Sequence, residues 1–252
     1  VSRPKFLYNK KYNNYVLIFH ADGPLDTDII KWINDGMPTK FGYGIYNRAM
    51  IGFAISNNPF GPYKLVNVQR MHHVDGWYSE DYGQARDIGT YVDHNSEDTD
   101  IAYVFYSSEN NKYMYISTLD DTFTTWSRVQ GEAQNGYDFK ARVLGDSTNR
   151  EAPAIFRYKG YYYLMTSGTT YWNPNPAIYY RSSMLFGPYE EIGNPCSGDG
   201  YDRTFDSQPT YFIRYNSKNG QFIYMGDRWW SNDLNESRYV LLPCEIDDVN
   251  HK

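Results

Sequence analysis

Three side chains suited to acid–base chemistry stand just ahead of aromatic strands at separate places in the chain. Glu151 lies in R-E-A-P-A, before the run F-R-Y-K-G-Y-Y-Y-L-M-T-S-G. Asp87 precedes I-G-T-Y-V, and Gln208 lies in S-Q-P-T before Y-F-I. Apolar rings around a carboxyl group raise its pKa, because burial disfavours the charged form. A general acid needs a raised pKa near neutral pH, so Glu151 is the candidate proton donor.

The other two residues complement that interpretation. Asp87 would orient the acid and raise its pKa through the proximity of a like charge. Gln208 accepts a proton less readily than a carboxylate, so it is better suited to positioning a water than to deprotonating it. By register, the three residues are predicted to hold equivalent places in consecutive repeats. Taken singly, Glu151 also fits a surface loop, and Asp87 fits a surface pair with Arg86.

Further polar and aromatic residues stand where the strands of predicted hairpins end. They combine ring surfaces with hydrogen-bonding groups, which is how proteins hold a sugar. The same residue types also dominate ordinary turns, so a structural role remains open for each. The candidate sugar contacts at these places are His20, Asp22, Arg86, Asp227 and Arg228.

The elements that carry these residues recur along the chain. A strand, a polar turn and a second, aromatic strand are found at 8–20, 156–168 and 212–229, with a more acidic copy at 93–108. This is the hairpin pattern of turn residues between β-rich runs. A further strand unit follows, and the tetrapeptide F-G-P-Y closes it twice. Repeats of about 50–65 residues with four strands each predict the blades of a β-propeller.

Composition indicates a single all-β domain over residues 1–252 and excludes several functions. Aromatic residues make up 18% of the chain, which suits both half-buried strands and grooves that stack on sugars. The net charge of −6 and the lack of a basic run exclude nucleic acid as a partner. No apolar stretch approaches the length of a membrane span. A short helix is predicted only at 27–35, and we expect a monomer.

The two cysteines and the first residues of the chain are informative about the cellular compartment in which the protein is found. Cys196 and Cys244 lack the C-x-x-C spacing of zinc and thioredoxin-type sites. They can form one disulfide in an oxidising compartment or remain small buried hydrophobes, and we favour the second. The chain opens on V-S-R-P without Met, so we expect either a removed leader or a start inside a larger protein. A secreted, periplasmic or cell-surface location is predicted.

Several motifs, taken in chain order, resemble glycoside hydrolase family 43. They are R-P-K, R-D, R-E-A-P-A, T-S-G with W-N-P-N, S-Q-P-T and Y-M-G-D-R-W. More narrowly, they resemble its exo-β-1,3-galactanase branch, subfamily 24, over nearly the whole chain. The resemblance implies a five-bladed β-propeller with a central pocket and an inverting mechanism. It implies Glu151 as general acid, Asp87 as the modulator of its pKa, and Gln208 in place of the usual carboxylate base. Such a Gln orients the attacking water, through its imidic tautomer.

The resemblance also implies further contacts and a reaction geometry. Thr169, Trp172 and Asn173 would contact the sugar or shape the pocket. Inversion requires the acid and the water-activating group to lie about 6.5–9.5 Å apart, which we expect across a propeller funnel. Some relatives hold calcium in the central channel, but no acidic cluster here requires one. No metal or other cofactor is therefore expected.

Departures from the family pattern leave the exact glycan open. The family's first blade normally precedes R-P-K, so part of that blade is predicted to be missing, together with any carboxylate it contributes. Long segments at 23–44 and 72–83 are predicted to remodel the pocket rim, and 131–148 is longer than usual. The predicted function is release of galactose from β-1,3-galactan of arabinogalactan, a plant-type polysaccharide. Alternatives are α-L-arabinofuranosidase or β-xylosidase activity, a carbohydrate-binding propeller without catalysis, and a protein-interaction propeller.

Overall fold

Four antiparallel sheets make up the computed structural model, which describes residues 2–23, 26–37, 48–71, 83–94, 100–127, 140–144 and 148–247. The first sheet contains β1 (Ser2–Asn9), β2 (Asn14–Ala21), β3 (Met50–Ser56) and β4 (Lys64–Gln69). The second contains β5 (Arg86–His94), β6 (Asp100–Ser108), β7 (Tyr113–Thr118) and β8 (Lys140–Arg142). The third contains β9 (Arg150–Tyr158), β10 (Tyr161–Gly168), β11 (Ile178–Ser182) and β12 (Glu190–Gly193). The fourth contains β13 (Gln208–Asn216), β14 (Gln221–Arg228) and β15 (Arg238–Glu245).

Within each sheet, strands that follow one another in the chain are hydrogen-bonded neighbours, which confirms the predicted repeat. The repeat that runs from the start of β1 at Ser2 to the start of β5 at Arg86 is longer than the predicted repeat length. One reason is the helix α1 (Asp26–Asn34), which lies between β2 and β3 at the place where a helix was predicted. None of the helices in the described ranges is long and apolar enough to cross a membrane. The remaining helical turns are short 3₁₀ segments at Tyr201–Arg203, Ser217–Asn219 and Leu234–Glu236.

The repeated F-G-P-Y tetrapeptide closes the same turn in the first and third sheets. Gly61 and Gly187 have φ values of 86° and 82°, a left-handed conformation that favours glycine. The hydroxyl of Tyr63 donates to the Pro59 carbonyl, and that of Tyr189 donates to the Leu185 carbonyl, each over 3.0 Å. The tetrapeptide therefore recurs because it makes one turn conformation and braces it with one tyrosine.

Apolar side chains between consecutive sheets form three core clusters. Strands with alternating buried residues supply them from both sides, as expected of sheets packed face to face. The first cluster joins Ile18 and Phe53 to Val104 and Tyr106; the second joins Phe105 and Ile116 to Ile155 and Leu164. The third joins Phe156 and Tyr163 to Phe212 and Phe222. Cys196 and Cys244 are free thiols packed against this third cluster.

A cavity, rather than an apolar core cluster, separates the first sheet from the fourth. The cavity has a volume of about 780 Å³ and is lined by residues of β1 and of β13, β14 and β15. The described residues therefore form four sheets without a closed ring, which differs from the five-bladed propeller predicted above. The strands β1, β5, β9 and β13 lie next to one another in that order, so we call them the inner strands.

All four inner strands have a register shift near their starts, as a β-bulge produces, and in three of them a residue with positive φ stands there. Register shifts occur near the starts of β1, β5 and β9, where Arg3, Asp87 and Ala152 have φ values of 47°, 38° and 55°. A bulge inserts one residue into a strand and re-aims its neighbours. By the bulge position, Asp87 corresponds to Ala152 rather than to Glu151. The strict equivalence predicted for Asp87 and Glu151 is therefore wrong by one residue.

Candidate functional site

The carboxyl group of Glu151, at the start of β9, lies among hydrogen-bond donors from two neighbouring sheets. Gln208 Nε2 donates to Oε1 over 2.9 Å, and Asn111 Nδ2 donates to Oε2 over 3.0 Å. Burial, and then the negative charge of Asp87, raise the pKa of Glu151 to about 8. The positive charge of Arg3 and the hydrogen bond from Gln208 oppose that rise but only in part. The carboxyl group is therefore protonated at neutral pH.

A buried guanidinium beside this carboxyl group joins three of the sheets. Arg3 Nε lies 3.0 Å from Asp87 Oδ1, Nη1 forms an ion pair with Asp227 Oδ2, and Nη2 donates to the Pro209 carbonyl over 3.0 Å. Burial by itself would lower the pKa of Arg3, but Asp87 and Asp227 together hold that pKa above its usual value. The Arg3 guanidinium, which β1 carries, thus binds residues of β5, β13 and β14 to one positive charge.

Lys5 supplies a second buried cation on the same side of β1. Its ammonium group donates to Thr210 Oγ1 over 2.9 Å, while burial, and then the charge of Arg3, lower its pKa to about 8. Arg3 and Lys5 are thus two positive charges beside the carboxyl groups of Asp87 and Asp227, and the guanidinium of Arg150 adds a third near Glu151.

All the hydrogen-bonding atoms of the Gln208 amide have partners around the site. Besides its bond to Glu151, Nε2 donates to Ser167 Oγ over 2.9 Å. Its Oε1 accepts from the indole nitrogen of Trp229, also over 2.9 Å. A carbonyl oxygen has two lone pairs, so Oε1 can accept one further hydrogen bond. That position suits a water molecule.

Aromatic and polar side chains form the walls of the cavity beside this cluster. The rings of Trp172 and Trp229 meet edge to face with centroids 5.1 Å apart, and both line the cavity. His20 and Asp22 line it from the first sheet, with His20 Nε2 3.5 Å from Asp22 Oδ1. Burial lowers the pKa of His20 and raises that of Asp22. Within the described ranges, His20 Nε2 is buried and has no hydrogen-bond partner.

Other predicted sugar contacts occupy different surroundings. The guanidinium of Arg86 donates to Gln84 and Asn110 over 3.2 and 3.4 Å, which braces the turn that carries Asn111. Arg228 donates to the Phe205 carbonyl over 2.7 Å, in the turn before β13. Both arginines hold turns, and their predicted contacts with sugar stay predictions. Thr169 and Asn173 are exposed on the loop that also carries Trp172.

No profile of a known protein family matches the chain, and no curated protein sequence does. Solved structures do match it. An exo-β-1,3-galactanase from Phanerochaete chrysosporium, crystallised with β-1,3-galactotriose, is 28% identical with a TM-score of 0.72, over 98% of this chain and 46% of that one. A GH43 β-1,3-galactosidase crystallised with galactodeoxynojirimycin is 28% identical with a TM-score of 0.74, over 98% and 72%. An exo-β-1,3-galactanase from Clostridium thermocellum is 26% identical with a TM-score of 0.72, over 96% and 45%.

The chain is thus similar in sequence and structure to enzymes of glycoside hydrolase family 43 (GH43). Among them are exo-β-1,3-galactanases, the branch that its motifs resemble. The chain spans less than half the length of several of these relatives, including a further GH43 β-1,3-galactosidase of which it covers 42%. Within its described ranges, no group of three or more His, Cys, Asp or Glu could hold a metal ion.

The candidate site contains residues that the sequence did not single out. Arg3 and Lys5 lie on the same face of β1 as buried Leu7 and Asn9, because side chains of every second residue share a face. Their inward position could therefore have been found from strand alternation. Buried cations need acidic partners, which would have pointed to the site. Asn111 lies in a turn whose composition is that of any surface turn, and no local signal distinguishes it.

One predicted distance, that between Glu151 and Gln208, differs in the structure. Inversion was expected to place Gln208 about 6.5–9.5 Å from Glu151. The two instead hydrogen bond directly over 2.9 Å, because β9 and β13 are adjacent inner strands rather than opposite ones. A sugar that reacts between them must therefore displace Gln208 from Glu151.

The protonation of Glu151 can be measured without any substrate. In ¹³C NMR, the Glu151 side-chain carboxyl should titrate with a midpoint at about pH 8 rather than near 4.5. Asp87→Asn should lower that midpoint, because it removes a nearby negative charge and leaves Arg3 less compensated. Asp93→Asn is the matched control on the same strand, since Asp93 pairs with Arg157 at 3.8 Å. A midpoint that Asp87→Asn leaves unchanged would contradict the assigned cause.

Proposed function

We propose that the chain is the catalytic domain of an inverting glycoside hydrolase that releases galactose from the ends of β-1,3-galactan chains. The observation that carries this proposal is the hydrogen bond between the Gln208 amide and the buried carboxyl group of Glu151, whose pKa is raised by burial. Beside them lies a cavity of about 780 Å³, within the range of small-ligand sites. The similarity to galactanases and galactosidases crystallised with galacto-ligands supports galactose as the released sugar.

The proposed reaction uses each group in one step. Glu151 donates its proton to the glycosidic oxygen, so the departing chain leaves as a neutral alcohol. A water held by Gln208 Oε1 attacks the anomeric carbon from the opposite face, which inverts its configuration. The proton that this water loses passes to solvent, and solvent returns a proton to Glu151 after the products leave. Asp87 keeps the pKa of Glu151 high enough for it to serve as the acid. Trp172 and Trp229 offer ring surfaces to the sugar, and His20 and Asp22 offer hydrogen bonds to its hydroxyls.

The activity is tested by product analysis. Incubation with β-1,3-galactotriose should release galactose, and ¹H NMR should show the α-anomer before mutarotation, because inversion of a β-linkage produces it. First appearance of the β-anomer would contradict inversion. Arabinofuranosyl and xylosyl oligosaccharides should give no comparable release. Release of arabinose or xylose instead of galactose would favour the other GH43 specificities.

A carbohydrate-binding propeller without catalysis is a second candidate, favoured by one observation. Gln208 stands where the family usually has a carboxylate base, and an amide is a poor proton acceptor. Titration calorimetry with β-1,3-galactotriose, run beside the galactose assay, separates the two functions. Binding without release of galactose would favour the binding module.

We also propose that the complete domain is a five-bladed propeller. In it a fifth sheet covers the outer part of the gap between the first and the fourth, and leaves the part of the cavity lined by Trp172 and Trp229 open to the sugar. Both faces that border the open side expose large apolar side chains. Phe6 and Leu65 are 58% and 56% exposed on the first sheet, and Tyr239 and Leu241 are 60% and 58% exposed on the fourth. Apolar sheet faces normally pack against another layer. A single catalytic domain over residues 1–252, acting as a monomer outside the cytoplasm, completes the proposal.

A further inference from the structure

We propose that Trp229 is the positioning residue that sets which end of the Gln208 amide faces the attacking water. This inference rests on the proposed hydrolysis, in which Gln208 holds that water. The indole nitrogen of Trp229 donates to Gln208 Oε1 over 2.9 Å, at the wall of the cavity.

Of the three partners of this amide, Trp229 alone selects its orientation. An indole N–H can only donate a hydrogen bond, so it requires the amide oxygen opposite it. The Ser167 hydroxyl can donate or accept, and it would satisfy either end of the amide. The carboxyl group of Glu151, protonated at neutral pH, can likewise donate or accept. Rotating the amide by 180° would therefore leave those two contacts intact and place two donors against each other at Trp229.

The orientation matters for the chemistry at the water. With Oε1 directed at Trp229, both N–H groups of the amide are used, and the second lone pair of Oε1 remains for the water. The water then donates a hydrogen bond and keeps its own lone pairs for the anomeric carbon. A reversed amide would donate to the water and engage a lone pair that the attack requires.

The hydrogen bond from Trp229 to Gln208 must also persist when substrate enters. A sugar between Glu151 and Gln208 breaks their mutual hydrogen bond, which leaves Ser167 and Trp229 as the partners of the amide. Trp229 is itself held by the edge-to-face contact with Trp172. The indole thus maintains the amide orientation at the moment the reaction needs it.

The kinetic test compares Trp229→Phe with Trp172→Phe. Trp229→Phe keeps an aromatic ring but removes the donor, so kcat on β-1,3-galactotriose should fall by about tenfold to a hundredfold with KM changed less than about threefold. Trp172→Phe alters the other ring of the same pair, so we expect a raised KM and a smaller change in kcat. The reverse pattern would overturn the proposal.

A second background isolates the orientation itself. In Gln208→Glu, the carboxylate presents two equivalent acceptor oxygens and has no orientation to fix. Adding Trp229→Phe to that variant should lower kcat by no more than about twofold, because the two residues act as one unit. An undiminished loss of kcat in that background would show that Trp229 does not act through the amide.

A spectroscopic readout separates this inference from the proposed function. The indole N–H resonance of Trp229, assigned by its disappearance in Trp229→Phe, should shift and exchange faster with solvent in Gln208→Ala. An unchanged resonance would reject the contact whether or not the protein hydrolyses galactan. A wild-type protein that releases no galactose would reject the proposed function and leave the resonance test in force.

Discussion

Glu151→Gln is expected to lower kcat on β-1,3-galactotriose by about 10²- to 10⁴-fold, the usual contribution of a general acid. The amide has no acidic proton for the departing sugar oxygen. The free energy of unfolding should change little, because Gln matches the size of Glu and carries no charge, like the protonated acid. The charge balance among Arg3, Lys5, Asp87 and Asp227 therefore persists. Galactose release and urea unfolding, measured on the same preparation, check both parts.

The choice of substrate and a control variant make this test specific. A nitrophenyl galactoside has a good leaving group that needs little protonation, so Glu151→Gln should lose much less activity on it if the protein accepts it. Equal losses on both substrates would contradict the role of acid. Glu190→Gln is the matched control, because Glu190 is an exposed carboxylate of the same sheet that pairs with Arg181 at 3.1 Å. Its kcat should stay within about twofold of wild type.

Arg3→Met should destabilise the protein by about 3–5 kcal/mol, as expected when one partner of a buried ion pair is removed. Asp87 and Asp227 would then remain near each other without the cation between them, and the Pro209 carbonyl would lose its donor. Arg3→Lys should lose less stability, because it keeps the charge but lacks the fork that reaches two carboxylates. The free energy of unfolding in urea at pH 7 measures the difference.

Two further variants identify the cause of that loss. Arg3→Met combined with Asp87→Asn and Asp227→Asn should recover part of the lost stability, because the two carboxylates that Arg3 compensates are removed with it. Arg203→Met removes an arginine from an exposed ion pair with Asp206 and should leave the unfolding midpoint unchanged. If the triple variant is no more stable than Arg3→Met alone, packing rather than charge explains the effect.

Local sequence patterns predicted the positions of the strands well. They predicted the directions and contacts of the strand side chains less well. Hairpins and the F-G-P-Y turns depend on residues close in sequence, so alternation and turn composition were sufficient. The proximity of Glu151 and Gln208 followed from their place before neighbouring inner strands. Their direct hydrogen bond did not, because it depends on which inner strands are adjacent. The bulge that shifts Asp87 relative to Glu151 depends on pairing across a sheet, which the order of residues alone does not reveal.

The residues missed by sequence reasoning have partners far along the chain. Arg3 pairs with Asp87 and Asp227, and no motif of a few residues could show those contacts. Asn111 lies in a turn of consecutive residues with positive φ values, including Glu109 and Asn110. Such a turn has many possible surroundings, and only the packing of the second sheet against the third brings it to Glu151.

The pairing of Arg3 with Asp227 spans 224 positions. On the ribosome, residue 3 emerges long before residue 227 is translated, and domains fold as their segments become available. A nascent chain that ends before β14 already contains Glu151 but lacks the acidic partner that anchors Arg3 beside it. The surroundings of Glu151 are therefore complete only after β14 has been translated. Formation of the Arg3–Asp227 ion pair would consequently report that the fourth sheet has docked against the first.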